Sequence, residues 1–396
     1  MNVLEFIQKK SKEIYPKVVK NRRFLHQNPE LAFEEYETSA FVQKQLEGLG
    51  IRYQSGVAKT GVVGFIEGNY PGKTIALRAD MDALPIHEEN TFDFKSKNNG
   101  KMHACGHDAH TASLLGTAEI LNELKSHLHG NIKLIFQPSE EKAPGGASVM
   151  IQEGVLKNPD VFRIFGQHVS PNIPTGKIGI RSGMYMASAD EIYLTIYGKG
   201  GHGAQPHTTI DPVAIAAQLI TTLQQVVSRK ADPRIPTVLS FGKCIANGAT
   251  NIIPDKVFLE GTFRTFNEKW REEALHWITQ IVHQVTNAFG ANSELNIVRG
   301  YPVLYNDVAT SEFTKKCIID YVGDNKVIDL DLWTAAEDFA FYTQEIPGCF
   351  YRLGTGNETK NSQFGLHTPQ FNIDEDALEI STGLMAWIAY NQLNGS

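Results

Sequence analysis

The sequence has little cysteine and no long apolar run. Its 396 residues contain four cysteines, which are too few and too scattered for a disulfide framework. No stretch of the sequence approaches the about 20 consecutive apolar residues of a membrane-spanning helix. The lysine-rich first residues carry periodic apolar positions, which predicts a helix rather than a signal peptide. Together these features predict a cytoplasmic protein with no membrane partner.

The charges are scattered along the chain, and neither sign forms a block. The formal net charge is -7, and the sequence has no basic stripe of the kind that binds nucleic acid. We therefore expect a small molecule or a short peptide as partner, and no nucleic acid. At 396 residues, of which 42% are hydrophobic and 20% charged, the chain is too long for one ordinary core. Two domains are expected.

The first half of the chain alternates short apolar runs with helical patterns. The runs at 74–82, 132–137 and 162–169 are nearly continuous in apolar residues, as is typical of parallel strands buried on both faces. A helical period covers 111–124, between the first two of these runs. Such repeats predict the α/β class, with a mostly parallel central sheet flanked by helices.

A different order of elements begins near Met184. The patterns there read strand, helix, strand, strand, helix, strand, which is the ferredoxin-like order. The chain afterwards returns to the α/β pattern. We therefore predict a catalytic domain formed by 1–183 and 294–396, with an α+β domain inserted at 184–293.

Ligand-type residues cluster where the apolar runs end. Open α/β sheets bind ligands beyond the carboxyl ends of their strands, so these side chains are expected to meet at one edge. The densest stretch is Met102–His110, and the adjacent carboxylates of Gln137–Glu141 follow another strand. The residues concerned are Asp80, Asp82, Cys105, His107, Glu140, Glu141, His168 and, late in the chain, His367.

This set predicts a metal centre that hydrolyses a carbonyl compound. Zinc-type sites use His, Cys and carboxylate ligands, and two ions about 3.5–4 Å apart could share a thiolate and a hydroxide. Glu140, beside a ligand, is the predicted general base for a metal-activated water. Asp82 is predicted to orient a ligand histidine. The predicted metal ligands are Cys105, His107, Glu141, His168 and His367.

Simpler interpretations stand beside these. A single histidine at a strand end is more often a structural hydrogen-bonding residue than a ligand, and Asp80 could simply end its strand. His26 is taken as an ordinary surface or packing histidine. The remaining cysteines, Cys244, Cys317 and Cys349, are expected to be buried small hydrophobic residues.

Several motifs together resemble one known family, in order from about Arg22 to about Pro369. The chain is similar to the aminoacylase and carboxypeptidase family of dinuclear metallohydrolases. Within it, the chain most resembles the branch of hippurate hydrolase, auxin–amino acid conjugate hydrolases and N-acetyldiaminopimelate deacetylase. The motifs that carry the resemblance are Arg78–Pro85, Met102–His110, Gln137–Glu141, Gly198–Ala204, Asn251–Pro254 and Gly261–Arg264.

The resemblance implies an amidohydrolase that cleaves N-acyl amino acids, acting as a homodimer whose inserted domain serves in dimerisation or as a lid. It also implies that His202 reaches the active site of the partner subunit and stabilises the oxyanion. Asn251 and Arg264 would then bind the substrate carboxylate. A dipeptidase or carboxypeptidase is a close alternative, and a non-catalytic dimeric metal- or ligand-binding protein on the same scaffold is a second.

One feature departs from the wider family, whose members begin the site with His-x-Asp and bridge the metals with aspartate. Here Asp80 takes the place of that histidine and Cys105 takes the place of the bridging aspartate, as in the branch named above. The cofactors implied are two divalent metal ions per subunit. Thiolate favours softer ions such as zinc, whereas the resemblance implies manganese, with nickel or cobalt as further possibilities.

Overall fold

The computed structural model describes residues 2–395, which divide into two compact units. The first unit comprises the chain up to Gly183, Tyr305–Asp331 and the chain from Asp338 onward. The second comprises Met184–Leu304 and Leu332–Glu337. Within residues 2–395, none of the helices combines the length and the apolar character needed to cross a bilayer.

The first unit contains most of the helices. Asn2 caps the first of them by accepting a hydrogen bond from the amide of Glu5, and that helix ends directly before Asn28-Pro29. The helices of this unit are α1 (Val3–Gln27), α2 (Tyr36–Gly48), α3 (His107–Glu123), α4 (Gly146–Gln152), α7 (Val308–Val322), α8 (Ala340–Glu345) and α9 (Ala377–Asn394).

An eight-stranded sheet forms the centre of the first unit. Its strand order is β1-β2-β4-β3-β5-β16-β6-β15, and the four central strands β4, β3, β5 and β16 run parallel to one another. The strands are β1 (Arg52–Val57), β2 (Gly61–Glu67), β3 (Tyr70–Asp80), β4 (His129–Gln137), β5 (Val161–Pro174), β6 (Ile178–Ile180), β15 (Val327–Asp329) and β16 (Gly348–Gly356). The predicted α/β class with a mostly parallel central sheet is confirmed.

One hydrophobic core joins this sheet to its helices. Helices α1, α3 and α9 pack on one another, and their buried side chains belong to the same cluster as those of β3 and β4. Ile75, Leu77, Ile132 and Leu134 are fully buried there. Because a buried aliphatic side chain stabilises the fold by about 1.5–3 kcal/mol, this cluster fixes the strands whose ends carry the candidate site.

The second unit has its own sheet and its own core. The sheet is antiparallel with the order β10-β12-β8-β13, and the buried faces of α5 and α6 pack against it. Asp211 accepts hydrogen bonds from the amides of Val213 and Ala214 and so caps α5. The elements are β8 (Asp190–Tyr197), β9 (Gly201–His202), α5 (Pro212–Gln225), β10 (Thr237–Ala246), β11 (Ile252–Ile253), β12 (Lys256–Thr265), α6 (Glu268–Ala288) and β13 (Asn292–Arg299).

Two short strands lie where the chain passes between the units, β7 (Gly183–Met186) and β14 (Leu304–Asn306). The second unit thus extends beyond Ser293, the end expected for an inserted domain, and also includes Leu332–Glu337. A role of this unit in dimerisation or as a lid stays a prediction.

The structure corrects one expectation about cysteine. Cys244 is exposed, because it lies on β10 at the edge of the second sheet, where most side chains from Phe241 onward face outward. Cys317 and Cys349 are buried as predicted.

Candidate metal centre

Strand register explains why residues that are distant in sequence meet at one edge of the large sheet. Arg78 on β3 lies opposite Gly166 on β5, and each is followed two positions later by a ligand-type residue, Asp80 and His168 respectively. Asp80 in turn lies opposite Gln137, the last residue of β4. The turn that carries Glu140 and Glu141 therefore starts beside the end of β3.

Helix α3 begins four residues earlier than its sequence pattern predicts, at His107. Gly106 precedes it with φ +82°, and a Cβ atom at that position would lie 2.4 Å from Val169 Cγ2. Only glycine fits this close left-handed turn. The turn sets Cys105 and His107 on either side of the start of the helix.

His107 is held as a metal ligand would be. Its Nδ1 donates to the carbonyl oxygen of Asp82 at 2.9 Å and lies 3.2 Å from Asp82 Oδ1. The carbonyl can only accept, so Nδ1 carries a proton, and Nε2 is the nitrogen left to bind a metal ion, which would displace any proton there. His107 Nε2 is buried and has no hydrogen-bond partner among residues 2–395. A buried imidazole nitrogen without a hydrogen-bond partner suits a metal ligand.

His168 shows the same arrangement. Its Nδ1 donates to the carbonyl oxygen of Val169 at 2.7 Å, which fixes the tautomer. The other ring nitrogen, Nε2, lies 3.4 Å from Cys105 Sγ. Both side chains are buried, so His168 presents a lone pair to the buried thiol.

Cys105 belongs to two groups of possible ligand atoms, each with its atoms within 4.8 Å of one another. One group adds His107 and His168, and the other adds Glu141 and His367. In the second group, His367 Nε2 lies 3.2 Å from Glu141 Oε1. The structure thus brings all five predicted ligands together, and two overlapping groups that share one thiol fit a pair of metal ions.

Glu140 lies beside these groups. It forms a third possible group with His107 and Glu141, and its Oε1 lies 3.4 Å from the backbone nitrogen of Asp338, which donates to it. Asp82 Oδ1 accepts from the amide of Glu140 and Asp82 Oδ2 accepts from the amide of Glu141, both at 2.9 Å. One buried carboxylate therefore holds both glutamates and His107.

The pKa values of the site residues depend on burial and on several carboxylates that lie close together. Burial, together with Glu141, Glu140 and Asp80, raises the pKa of the Cys105 thiol well above its usual range. Burial alone would lower the pKa of His107, but Asp80 and Asp82 raise it to about 10. Excess negative charge in a buried site favours a bound cation.

Asp80 and His110 are already used by other partners. Asp80 Oδ2 accepts from Arg78 and Asp80 Oδ1 accepts from His110 Nδ1, both at 2.6 Å. His110 Nε2 accepts from the amide of Val169, so both of its nitrogens are satisfied. Burial raises the pKa of Asp80, but His107, Arg78 and His110 outweigh burial and hold it well below its usual range. This pair is therefore better suited to support the site than to bind metal.

Comparison with known proteins agrees with this geometry. The sequence matches Peptidase family M20/M25/M40 over residues 76–391. The chain belongs to this family. The predicted family is therefore confirmed, and with it the enzyme class, a metal-dependent hydrolase of amide bonds.

Individual members of the family are similar over most of the chain. An N-acyl-L-amino acid amidohydrolase of Geobacillus stearothermophilus is 47% identical over 304 residues, which cover 76% of this chain and 82% of that protein. Thermostable carboxypeptidase 2 of Saccharolobus solfataricus is 40% identical over 98% of both chains. A solved Bacillus subtilis structure, described as a dinuclear metal-binding peptidase from the M20 family, has a TM-score of 0.84 at 35% identity and covers 97% of this chain and 100% of that one.

The remaining predicted site residues of this M20 chain lie in the second unit. His202 is on β9 and pairs with Ile252 on β11, and the carbonyl oxygen of Asn251 accepts from the amide of Gly203. His202 and Asn251 are therefore neighbours on one β-ribbon. Arg264 is on β12, and its Nη1 donates to the carbonyl oxygen of Thr334 at 3.0 Å.

The sequence did not reveal a buried cluster of charged side chains around Asp108, in the first turn of α3. His26 is fully buried, with Nδ1 2.8 Å from Asp108 Oδ2 and Nε2 3.1 Å from Glu88 Oε1. Arg22 Nε donates to Asp108 Oδ2 at 2.7 Å. The spacing of Arg22 and His26, four residues apart on one face of a predicted helix, was the available signal. Their partners are distant in sequence and could not be inferred from it.

Asp338 was also missed. It accepts from Arg78 at 2.6 Å, from Gln137 and from the amide of Ala147. Glu337 and Asp338 are adjacent acids too, but they precede an apolar run, whereas Glu140 and Glu141 were identified because they follow one.

The buried cluster predicts a pH dependence of stability. Burial and Arg22 lower the pKa of His26, but Asp108 and Glu88 outweigh them and raise it above its usual value. A raised histidine pKa stabilises the fold fully below the unfolded value of about 6.5, and this contribution is lost as the pH rises through the folded pKa. We expect the stability difference between wild type and His26→Gln to shrink as the pH rises from 6 to 9.

Chemical denaturation of the metal-free protein at several pH values measures this difference. His276→Gln, at an exposed position on α6, is the matched control and should show no such trend. A stability difference for His26→Gln that is constant across the range would contradict a charged, ion-paired His26.

Proposed function

We propose that this protein is an amidohydrolase that removes the acyl group from N-acyl amino acids with two divalent metal ions bound at the Cys105 centre. The observation that carries the proposal is the overlap of two ligand groups on one buried thiol, with Glu140 beside them. A two-metal hydrolase needs this combination of a shared ligand and an adjacent proton carrier. The similarity to the Geobacillus amidohydrolase supports the substrate class.

The ions would be held by Cys105, His107 and His168 on one side and by Cys105, Glu141 and His367 on the other. When bound, they supply Lewis acidity that polarises the amide carbonyl and makes water a stronger acid. The unsatisfied Nε2 of His107 and the fixed tautomer of His168 support these assignments. A thiolate ligand favours zinc, and manganese, nickel or cobalt are the alternatives that the resemblance implies.

Glu140 would carry the proton. It takes a proton from the attacking water and returns it to the departing amine, so the acid and base steps use one side chain. The amides of Glu140 and Glu141 donate hydrogen bonds to the Asp82 carboxylate. These bonds hold the main chain of both residues while the Glu140 side chain changes charge. Glu140 is buried, which favours proton transfer without exchange with bulk water.

His202, Asn251 and Arg264 would serve the substrate. His202 would stabilise the oxyanion in the active site of the partner subunit of a homodimer, and Asn251 and Arg264 would bind the carboxylate of the amino acid. Arginine suits this role because its guanidinium can bind a carboxylate through two parallel hydrogen bonds. His202 is exposed within its own chain, which a residue that acts on a partner subunit requires.

His202→Ala is expected to give a folded protein with full metal content and about 10²–10³-fold lower kcat, the usual cost of losing one oxyanion donor. Mixing it with Glu140→Gln should recover about a quarter of wild-type activity, because half of the dimers are mixed and each of these has one intact site. No recovery despite demonstrated subunit exchange would show that His202 acts within its own subunit.

The substrate class is tested by amine release from a panel of N-acetyl, N-benzoyl and longer N-acyl amino acids. The protein is loaded in turn with zinc, manganese or cobalt, and dipeptides are included because thermostable carboxypeptidase 2 is also similar. Turnover of an N-acyl class that exceeds turnover of every dipeptide supports the proposal. Preference for dipeptides would identify a dipeptidase or carboxypeptidase instead.

A further inference from the structure

Three consecutive backbone amides of the turn after β4 are bound by buried carboxylates. The amide of Ser139 donates to Glu35 Oε1 at 2.9 Å. The amides of Glu140 and Glu141 donate to Asp82 Oδ1 and Oδ2, also at 2.9 Å. Pro138, which has no amide hydrogen, precedes them, so these are the first three donors of the turn. Such hydrogen bonds are among the stronger ones in proteins when the carboxylate is ionised.

The turn needs such support because Ser139 has φ +49°. This left-handed conformation is unfavourable for a residue with a side chain. It persists only where the surrounding structure holds the backbone in place. Ser139 is fully buried, and its carbonyl oxygen accepts from the amide of Gly146 at 2.8 Å. The Glu35 bond restrains the amide on the other side of the same residue.

Glu35 is itself fixed by contacts from two further loops. It is fully buried. Its Oε2 accepts from Thr60 Oγ1 at 2.5 Å, and its Oε1 also accepts from the amide of Phe33 at 2.9 Å. Each carboxylate oxygen therefore has a donor, and Glu35 joins the segments around Phe33, Thr60 and Ser139. Burial, with a further contribution from Asp82, raises its pKa to about 7 even though the Thr60 hydrogen bond opposes this.

We infer that Glu35 is a positioning residue for catalysis, which holds the Ser139 amide so that the following residue, Glu140, is aimed at the reacting atoms. This inference rests on the proposed role of Glu140 as general base. Asp82 fixes the amides of Glu140 and Glu141, while Glu35 fixes the conformation of the residue before them. A displacement of a catalytic group by about 1 Å can cost about 10²-fold in rate, so this restraint acts on kcat.

The test compares wild type with Glu35→Ala and Glu35→Gln. Glu35→Ala removes the acceptor for Ser139, and we expect kcat to fall about 10–100-fold with KM within about twofold and metal content unchanged. Glu35→Gln keeps an oxygen acceptor for the Ser139 amide, so its kcat should stay within about threefold of wild type. The matched control is Glu30→Ala, because the Glu30 carboxylate likewise accepts from backbone amides, those of Glu37 and Thr38 at the start of α2. Its kcat should be unchanged.

A second readout does not depend on turnover. In the metal-free protein, hydrogen exchange of the amides of 139–141 should be at least about tenfold faster in Glu35→Ala than in wild type and in Glu30→Ala. Faster exchange with unchanged kcat would overturn the inference, because Glu35 would then be only structural. Loss of metal from Glu35→Ala would also overturn it, since the residue would then act through a ligand.

The remaining outcomes are equally decisive. Unchanged exchange at 139–141 overturns the inference whatever the activity. If Glu35→Ala fails to fold, a more than tenfold loss of kcat in Glu35→Gln would overturn it, because the retained acceptor should suffice. If wild type hydrolyses nothing in the substrate panel, the proposed function fails, and the exchange measurement alone decides whether Glu35 holds the turn.

Discussion

Glu140→Gln is expected to lower kcat by about 10²–10⁴-fold while both metal ions stay bound, because a general base contributes about that factor. Glutamine keeps the size and the backbone bond to Asp82, so the turn should keep its conformation. It cannot take a proton from water. The measurement is kcat on the substrate that the panel identifies, together with elemental analysis of the same preparation.

Glu153→Gln is the control for a glutamate that accepts a backbone hydrogen bond, here from the amide of Ala58, without lying in a ligand group. It should keep wild-type kcat. Full turnover by Glu140→Gln would exclude Glu140 as the base. A loss of metal from Glu140→Gln would instead mean that Glu140 is a ligand, since it also lies within reach of His107 and Glu141.

Cys105→Ala is expected to abolish activity by removing metal. Cys105 is the one residue common to both ligand groups proposed to hold the ions, so its loss should weaken both sites at once. The proposed ligand is the thiolate, and burial raises the pKa of this thiol, so metal binding would have to displace its proton. Elemental analysis after dialysis should show fewer than two ions per chain.

Cys349→Ala is the matched control for Cys105→Ala. Cys349 is also buried but lies in the core on β16, so its replacement should cost only about 1 kcal/mol of stability and leave the metal content unchanged. An unchanged metal content in Cys105→Ala would exclude the bridging role. Metal loss in both variants would point to a general loosening of the fold.

The sequence predicted the parts of the site that follow from strand patterns. Asp80 and Gln137 end apolar runs, and parallel strands bring such ends to one edge, so their proximity followed from the α/β class. The start of α3 was predicted too late, because Gly106 carries no capping side chain and the helix begins without the usual serine, threonine or aspartate signal.

Other parts could not be predicted because they depend on partners distant in the chain. His26 resembles a surface histidine until Asp108 and Glu88 enclose it. Glu35 lies in a stretch with no strand or ligand pattern, and its importance comes from Ser139, which the fold brings within hydrogen-bond distance. Cys244 sits among apolar residues in sequence, yet it lies on an edge strand that leaves its side chain exposed.

The pairing of β5 with β16 sets the order in which the large sheet can form during synthesis. His168 pairs with Arg352, and at about 5–20 residues per second a ribosome needs roughly 10–40 s to make the residues between them. Until β16 emerges, one side of β5 has unpaired backbone groups that can recruit strands from other chains. The second unit has its own core and can fold during this interval. His367 leaves the ribosome later still, so the metal centre is completed among the last parts of the nascent protein.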